Sequence, residues 1–216
     1  MIILGDIHGD FHVLEPIISK FPDQVIIQVG DFGFWPLFKP RWSGPLNPIY
    51  FIDGNHDYIP GLPIDGKYPE EMWPGAIYIP RGVILELEGK RVLFLGGSKS
   101  VDRAWRVKDS INHGWFEDEQ LNEAQVQRAL ANGPVDLMIT HTPPDFLIRS
   151  QFSPMGLRSF GHDPDKWIDE SSRNVERVWR ELGEPMLFCG HMHKSVIHPK
   201  IRILNINEVV EYGKGQ

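Results

Sequence analysis

Short apolar runs that stop abruptly at glycine-led polar clusters set the pattern of this chain. Ile2-Ile3-Leu4 runs into Gly5-Asp6-Ile7-His8-Gly9-Asp10, and Val25, Ile26, Ile27 and Val29 run into Gly30-Asp31-Phe32-Gly33. Residues 49–52 deliver Asp53-Gly54-Asn55-His56-Asp57 in the same way. Runs this short with almost no polar alternation read as strands buried on both faces, the habit of parallel sheets. Residues 24–29, 49–52, 135–140 and 186–189 fit, and the last two lead into His141 and into Gly190-His191-Met192-His193. Helical spacing appears between them. Phe11, Leu14, Ile17, Ile18 and Phe21 follow Asp10 as a cap, with Pro16 placed past the first turn and expected to distort it. A second helix is predicted over 117–131, opened by Glu117-Asp118-Glu119 and closed by Asn132-Gly133-Pro134. A third is predicted from Asp163-Pro164, with the stripe Ile168, Val175, Val178, Trp179 and Leu182.

Residues 83–88 and 91–95 around Gly89-Lys90 predict a hairpin, and 196–210 two short strands. Residues 34–48 and 58–75 are rich in proline and glycine and read as connections, and 145–164 as irregular chain. Buried strands alternating with helices predict an α/β fold, and the absence of any repeat or linker predicts a single domain over 1–216.

Composition narrows the function classes. With 41% hydrophobic and 24% charged residues the chain reads as soluble and globular, and no apolar run approaches the roughly 20 residues of a membrane span. Only five residues precede Asp6, too few for a secretory signal of at least about 15, so a cytoplasmic location is expected. One cysteine, Cys189, excludes an internal disulfide and a thiolate cluster, leaving oxygen and nitrogen ligands for any metal. The net charge of -7 opposes an extended nucleic-acid surface, which needs many cations against phosphates.

Candidate chemistry sits at the strand ends. Residues two apart on a strand share a face, so Asp6 and His8 point at one spot, and Gly9 lets the chain turn away. Asp31, Asn55 with His56, His141, and His191 with His193 follow, each after a predicted strand, where α/β sheets collect their sites. This series of D-x-H, G-D, G-N-H-[DE], H and G-H-x-H over residues 5–193 resembles the calcineurin-like metallophosphoesterase superfamily. The resemblance implies a four-layer α/β/β/α sandwich, two mixed β-sheets flanked by helices, with two divalent metal ions at the strand ends. It implies Asp6, His8, Asp31 and His193 around one ion, and Asp31, Asn55, His141 and His191 around the other, with Asp31 bridging. Imidazole and carboxylate ligands suit manganese first, then iron, zinc or nickel. The implied activity is hydrolysis of a phosphodiester or phosphomonoester by a metal-bridging hydroxide attacking in line, a small nucleotide-like phosphodiester being favoured. His56 would face the leaving oxygen as phosphate contact or general acid, and Asp57 would orient its ring and keep it cationic. Asp10 and Asp53 are expected to be a helix cap and a turn residue.

Departures narrow the resemblance. The protein serine/threonine phosphatases and the diadenosine tetraphosphate hydrolases continue as G-D-x-V-D-R-G, whereas Gly30-Asp31-Phe32-Gly33-Phe34-Trp35 lacks the second Asp and the Arg. Those activities are the alternative, and the chain looks closer to the small bacterial and phage metallophosphoesterases. A catalytically silent scaffold of this fold would lose the catalytic histidine, yet His56 and all seven ligand positions are present. In the loop 96–106, Arg103 and Arg106 flank Trp105 and offer cationic and stacking contacts to a nucleotide, against the plainer reading of a solvated loop. His12, His113, His162 and His198 read as surface histidines, His162 being the first exception to consider.

Overall fold

The structure, a computed structural model, describes residues 1–35, 47–108, 114–151 and 153–213. Most of the connection expected over 34–48, and His113, lie outside these residues. The strands are β1 (Ile2–Leu4), β2 (Ile26–Gln28), β3 (Ile49–Phe51), β4 (Glu70–Trp73), β5 (Ala76–Tyr78), β6 (Val83–Leu87), β7 (Lys90–Leu95), β8 (Leu137–Thr140), β9 (Met186–Cys189), β10 (Val196–His198), β11 (Ile201–Ile203) and β12 (Val209–Glu211). The helices are α1 (Leu14–Lys20), α2 (Arg103–Arg106), α3 (Glu123–Ala131), α4 (Asp145–Gln151), α5 (Pro154–Ser159) and α6 (Glu170–Glu181).

Two mixed six-stranded sheets result, in the orders β12-β1-β2-β3-β5-β4 and β10-β11-β9-β8-β7-β6. In each sheet four strands run parallel in the middle and the antiparallel partners lie at the edges. Side chains alternate between faces, which explains why the strand sequences are apolar throughout. Ile3 and Ile27 of the first sheet meet Val92, Phe94, Ile139 and Phe188 of the second in a layer between the sheets. Ile2, Leu4 and Ile26 turn outward onto Leu14 and Ile17 of α1. On the far side Leu93, Met138 and Leu187 pack against Val126 of α3 and Val175, Val178 and Trp179 of α6. The fold is the four-layer α/β/β/α sandwich. Among the described residues no helix is long and apolar enough to cross a membrane.

Local chemistry moved several boundaries. Pro16 is the third residue of α1, and the turn before it, Phe11–Val13, is 3-10 rather than α, so the helix start is irregular where Pro16 lacks an N–H to donate. Asp10 makes no side-chain cap. The helix expected over 117–131 begins only at Glu123, because Asn122 and Gln125 form a reciprocal capping box. The preceding Glu117–Glu119 is a 3-10 turn in which Glu119 is buried. The expected third helix starts at Glu170, where the Asp169 side chain accepts from Ser172 N at 3.0 Å, while Asp163-Pro164 forms a separate turn and Ile168 stays exposed. Connection 58–75 contains β4, segment 145–164 contains α4 and α5, and 196–210 yields three strands, one of them reaching Glu211.

Asp53 is no turn residue. It and Arg81 are both fully buried, with Arg81 Nη2 2.7 Å and Nε 3.1 Å from Asp53 Oδ2, and Tyr78 donates to Asp53 Oδ1 at 2.7 Å. Arg81 also donates to the carbonyls of Glu119 and Gln120, so the pair ties the first sheet to the turn before α3. Asp53→Ala leaves Arg81 buried without its counter-charge and should cost about 3–5 kcal/mol. Equilibrium urea unfolding measures this, and a midpoint unchanged from wild type would contradict it.

Candidate metal centre

The polar clusters leave the carboxyl ends of parallel strands. Asp6 and His8 follow β1, Asp31 follows β2, Asn55 and His56 follow β3, His141 follows β8, and His191 and His193 follow β9. The ends of both sheets meet. Asp6 Oδ2 accepts from His191 N at 2.9 Å and lies 3.4 Å from His193 Nε2, and Asp31 Oδ2 lies 3.4 Å from His141 Nε2.

One group of ligand atoms, from Asp6, His8, Asp31 and His193, lies within a mutual 4.8 Å. Within it the Nε2 atoms of His8 and His193 converge to 2.8 Å, and His8 Nε2 lies 3.8 Å from Asp31 Oδ2. The remaining residues gather around Asn55 and His141. His141 Nε2 is 3.3 Å from Asn55 Oδ1, and Ser98 Oγ stands between Asn55 Oδ1 at 2.8 Å and His191 Nδ1 at 3.4 Å. Val29 O lies 2.9 Å from His141 Nδ1 and accepts its N–H, which turns Nε2 toward the Asp31 carboxylate.

The donor set fits a divalent cation. Asp6 Oδ1, Asp31 Oδ2 and His191 Nε2 are buried and have no hydrogen-bond partner, a costly condition for polar atoms that a cation would relieve. Burial, then the neighbouring His141, holds the His191 imidazole well below its ordinary pKa, so it is neutral and keeps a lone pair. At His141 burial acts downward too, but the negative charge of the facing Asp31 outweighs it and pushes the imidazole up to about 10, so a metal ion has to displace the Nε2 proton to take this ligand. Burial raises Asp31, and His141, His56 and His8 together bring it well below the carboxylate range. His8, Asp31, His191 and His193 all have positive φ, from 46° to 66°, a strained conformation for non-glycine residues and one that clusters at functional sites. Two glycines are dictated by the same carboxylates: a Cβ at Gly190 would lie 1.9 Å from Asp6 Oδ1, and one at Gly54 2.1 Å from Asp31 Oδ1.

Three sequence expectations change. Asp57 does not orient His56: its carboxylate accepts backbone N–H groups from Gly33 (2.8 Å), Phe34 (2.7 Å), Gly54 (2.9 Å) and Phe32 (3.3 Å), stapling the Asp31 loop to the Asn55 loop. Burial, with Asp31 adding, pushes that carboxyl up to about 7 against the pull of these donors. His56 is not held cationic, since burial lowers its pKa more than Asp31 restores it. Arg106 is not a free substrate contact. It is buried, donating to Gly114 O at 2.8 Å and to Ser100 Oγ. Arg103 is exposed, with its guanidinium 4.0 Å from the Trp115 ring centre. His162 is half-buried against Trp167, its Nε2 on Val101 O at 2.6 Å.

Sequence reasoning missed Ser98, Ser100 and Glu119, which surround Asn55. The Asn55 Nδ2 donates to Ser100 Oγ at 3.2 Å, and Ser100 Oγ donates to Glu119 Oε2 at 2.7 Å. Their signal was the one used elsewhere: Gly96-Gly97-Ser98 follows β7 directly and is a further strand end carrying polar residues.

Sheets stacked in this order, with carboxylates and imidazoles converging from the strand ends of both, define an α/β/β/α protein with a candidate metal centre at its strand ends. The family model of the calcineurin-like phosphoesterases matches residues 1–195, and the chain belongs to that family. Membership gives metal-dependent hydrolysis of phosphate esters as its general activity. No curated protein matches the chain.

Proposed function

We propose that the protein is a dinuclear phosphoesterase in which Asp6, His8, Asp31 and His193 hold one divalent ion and Asp31, Asn55, His141 and His191 the other. The observation that carries this reading is Asp31 Oδ2, a buried carboxylate oxygen without a hydrogen-bond partner, between His8 on one side and His141 on the other. Bound there, two cations lower the pKa of water and neutralise charge on the phosphoryl oxygens. The chain's own residues do the rest. Val29 O fixes the direction of His141 Nε2, and the two serines fix that of Asn55 Oδ1. His56, half-buried beside His8 with ring centres 5.3 Å apart, contacts the ester and, in its cationic form, donates a proton to the leaving oxygen; its lowered pKa makes it the stronger acid once protonated. Arg103, stacked on Trp115, and the exposed Trp105 lie in the segment whose Asp102 and Arg106 act electrostatically on His56; they are the contacts we propose for a nucleotide-like group, with a small phosphodiester as the favoured substrate.

Protein reconstituted with Mn2+ should hydrolyse bis(nitrophenyl) phosphate and a cyclic nucleotide, prefer these diesters over nitrophenyl phosphate, and lose both activities to a chelator. Failure to hydrolyse any ester across Mn2+, Fe2+, Zn2+ and Ni2+ would refute the reading, and a monoester preference would move the substrate class.

A further inference from the structure

The structure assigns the Ser100, Glu119 and Arg106 group a positioning function: it determines which atom of the Asn55 side chain faces the cations. The inference rests on the two-ion reading above. The amide of Asn55 has ends of opposite polarity, and only Oδ1 can ligate a cation, so the rotation of one amide by half a turn decides whether the second ion is held.

A serine hydroxyl has one proton and two lone pairs. The Ser100 proton goes to Glu119 Oε2 at 2.7 Å. That carboxylate is kept an acceptor by the Ser100 backbone N–H on Oε1 at 2.8 Å and by Arg106 Nη1 at 3.5 Å. Arg106 carries donors only, and its Nη1 donates to Ser100 Oγ, occupying one lone pair. With its proton committed and one lone pair taken, Ser100 Oγ can only accept at its remaining position. The Asn55 atom placed there at 3.2 Å is therefore Nδ2. Oδ1 is turned to the other side, toward His141 Nε2 at 3.3 Å and Ser98 Oγ at 2.8 Å. Ser98 does not make this choice, because its hydroxyl rotates and could serve either end of an amide. A reversed Asn55 would set its oxygen against a hydroxyl with no proton to give, and would turn toward the second ion an N–H2 group that cannot ligate a cation. Asn55, Ser100, Arg106 and Glu119 are all buried, so water cannot repair the mismatch at Ser100.

The test is a cycle of metal titrations on wild type, Ser100→Ala, Asn55→Asp and the double variant. In wild type two Mn2+ ions should bind, and Ser100→Ala should weaken one of them by about 10- to 100-fold, the usual effect of removing a group that orients a metal ligand. In the Asn55→Asp background both ends of the side chain are oxygen and orientation no longer matters. Ser100→Ala should then change affinity by less than about twofold, the level at which uncoupled sites simply add. Equal losses in the two backgrounds, or none in the Asn55 background, would overturn the assignment. A wild type that binds one ion would reject the two-ion reading instead, and the polarity is then judged on metal-free protein by NMR. There the Asn55 side-chain amide should show a hydrogen-bonded, downfield proton that moves upfield in Ser100→Ala, and an unmoved resonance would overturn it.

Discussion

Asp31→Asn is expected to leave the protein folded yet unable to load either cation, with ester hydrolysis reduced at least about 10³-fold. The two oxygens of Asp31 have separate tasks. Oδ1 accepts the His56 backbone N–H at 2.8 Å and so fixes the Asn55-His56 loop, while Oδ2 faces His141 at 3.4 Å and His8 at 3.8 Å without a hydrogen bond. Asparagine keeps the first task, because its carbonyl replaces Oδ1, and it tolerates the positive φ of 53° at this position. It then places an N–H2 group where Oδ2 was, removing the negative charge and aiming donors at both cation positions. Alanine would lose the His56 contact as well, so it cannot separate metal loss from loop collapse. Metal counting after saturation with Mn2+ should give two ions in wild type and none in the variant. Saturation at about 100 times Kd should also stabilise the wild type by about 2.7 kcal/mol and leave the variant where it was. Two ions retained in Asp31→Asn, or one in wild type, would end the bridging role.

The strand-end positions of the candidate residues were legible because they depend on chain direction alone: a polar residue soon after a buried strand is at the carboxyl end of its sheet, whatever the distant packing. That rule places Asp6, Asp31, Asn55, His141 and His191. The partners of those residues were not legible, since Asp57 finds four amide donors and Glu119 finds Ser100 and Arg106 only after loops far apart in sequence have met. Acidic residues mislead for the same reason. Glu117-Asp118-Glu119 resembles a helix start, yet Glu119 gains more from buried hydrogen bonds, and Asn122 takes the cap. The edge strand β4 was hidden because Glu70 and Glu71 are exposed and a bulge follows, so no apolar run marks it. Helices α4 and α5 span under two turns each, too short for a period, although Ser153, which accepts from Gly156 N at 2.9 Å, and Pro154 mark the start of α5.

Loss of the His56 imidazole should cost most where the leaving group most needs a proton. The backbone on either side of the ring is fixed independently of it: His56 N donates to Asp31 Oδ1, and His56 O accepts from Trp35 Nε1 at 3.0 Å. Among the described residues the hydrogen bonds of His56 run through its backbone N and O, so truncation of the ring strands no protein group. His56→Ala should therefore fold and load two ions like the wild type, which confines its effect to the reaction. A ribose alkoxide leaving from a nucleotide diester is strongly basic, and without a proton donor its departure should slow about 10²- to 10⁴-fold. A nitrophenolate leaves readily unaided, and its diester should lose much less. The ratio of the two kcat/KM losses is the measurement, taken at matched metal content. Equal losses on the two esters would make His56 a contact that positions the phosphate rather than an acid, and no loss on either would remove it from the reaction altogether.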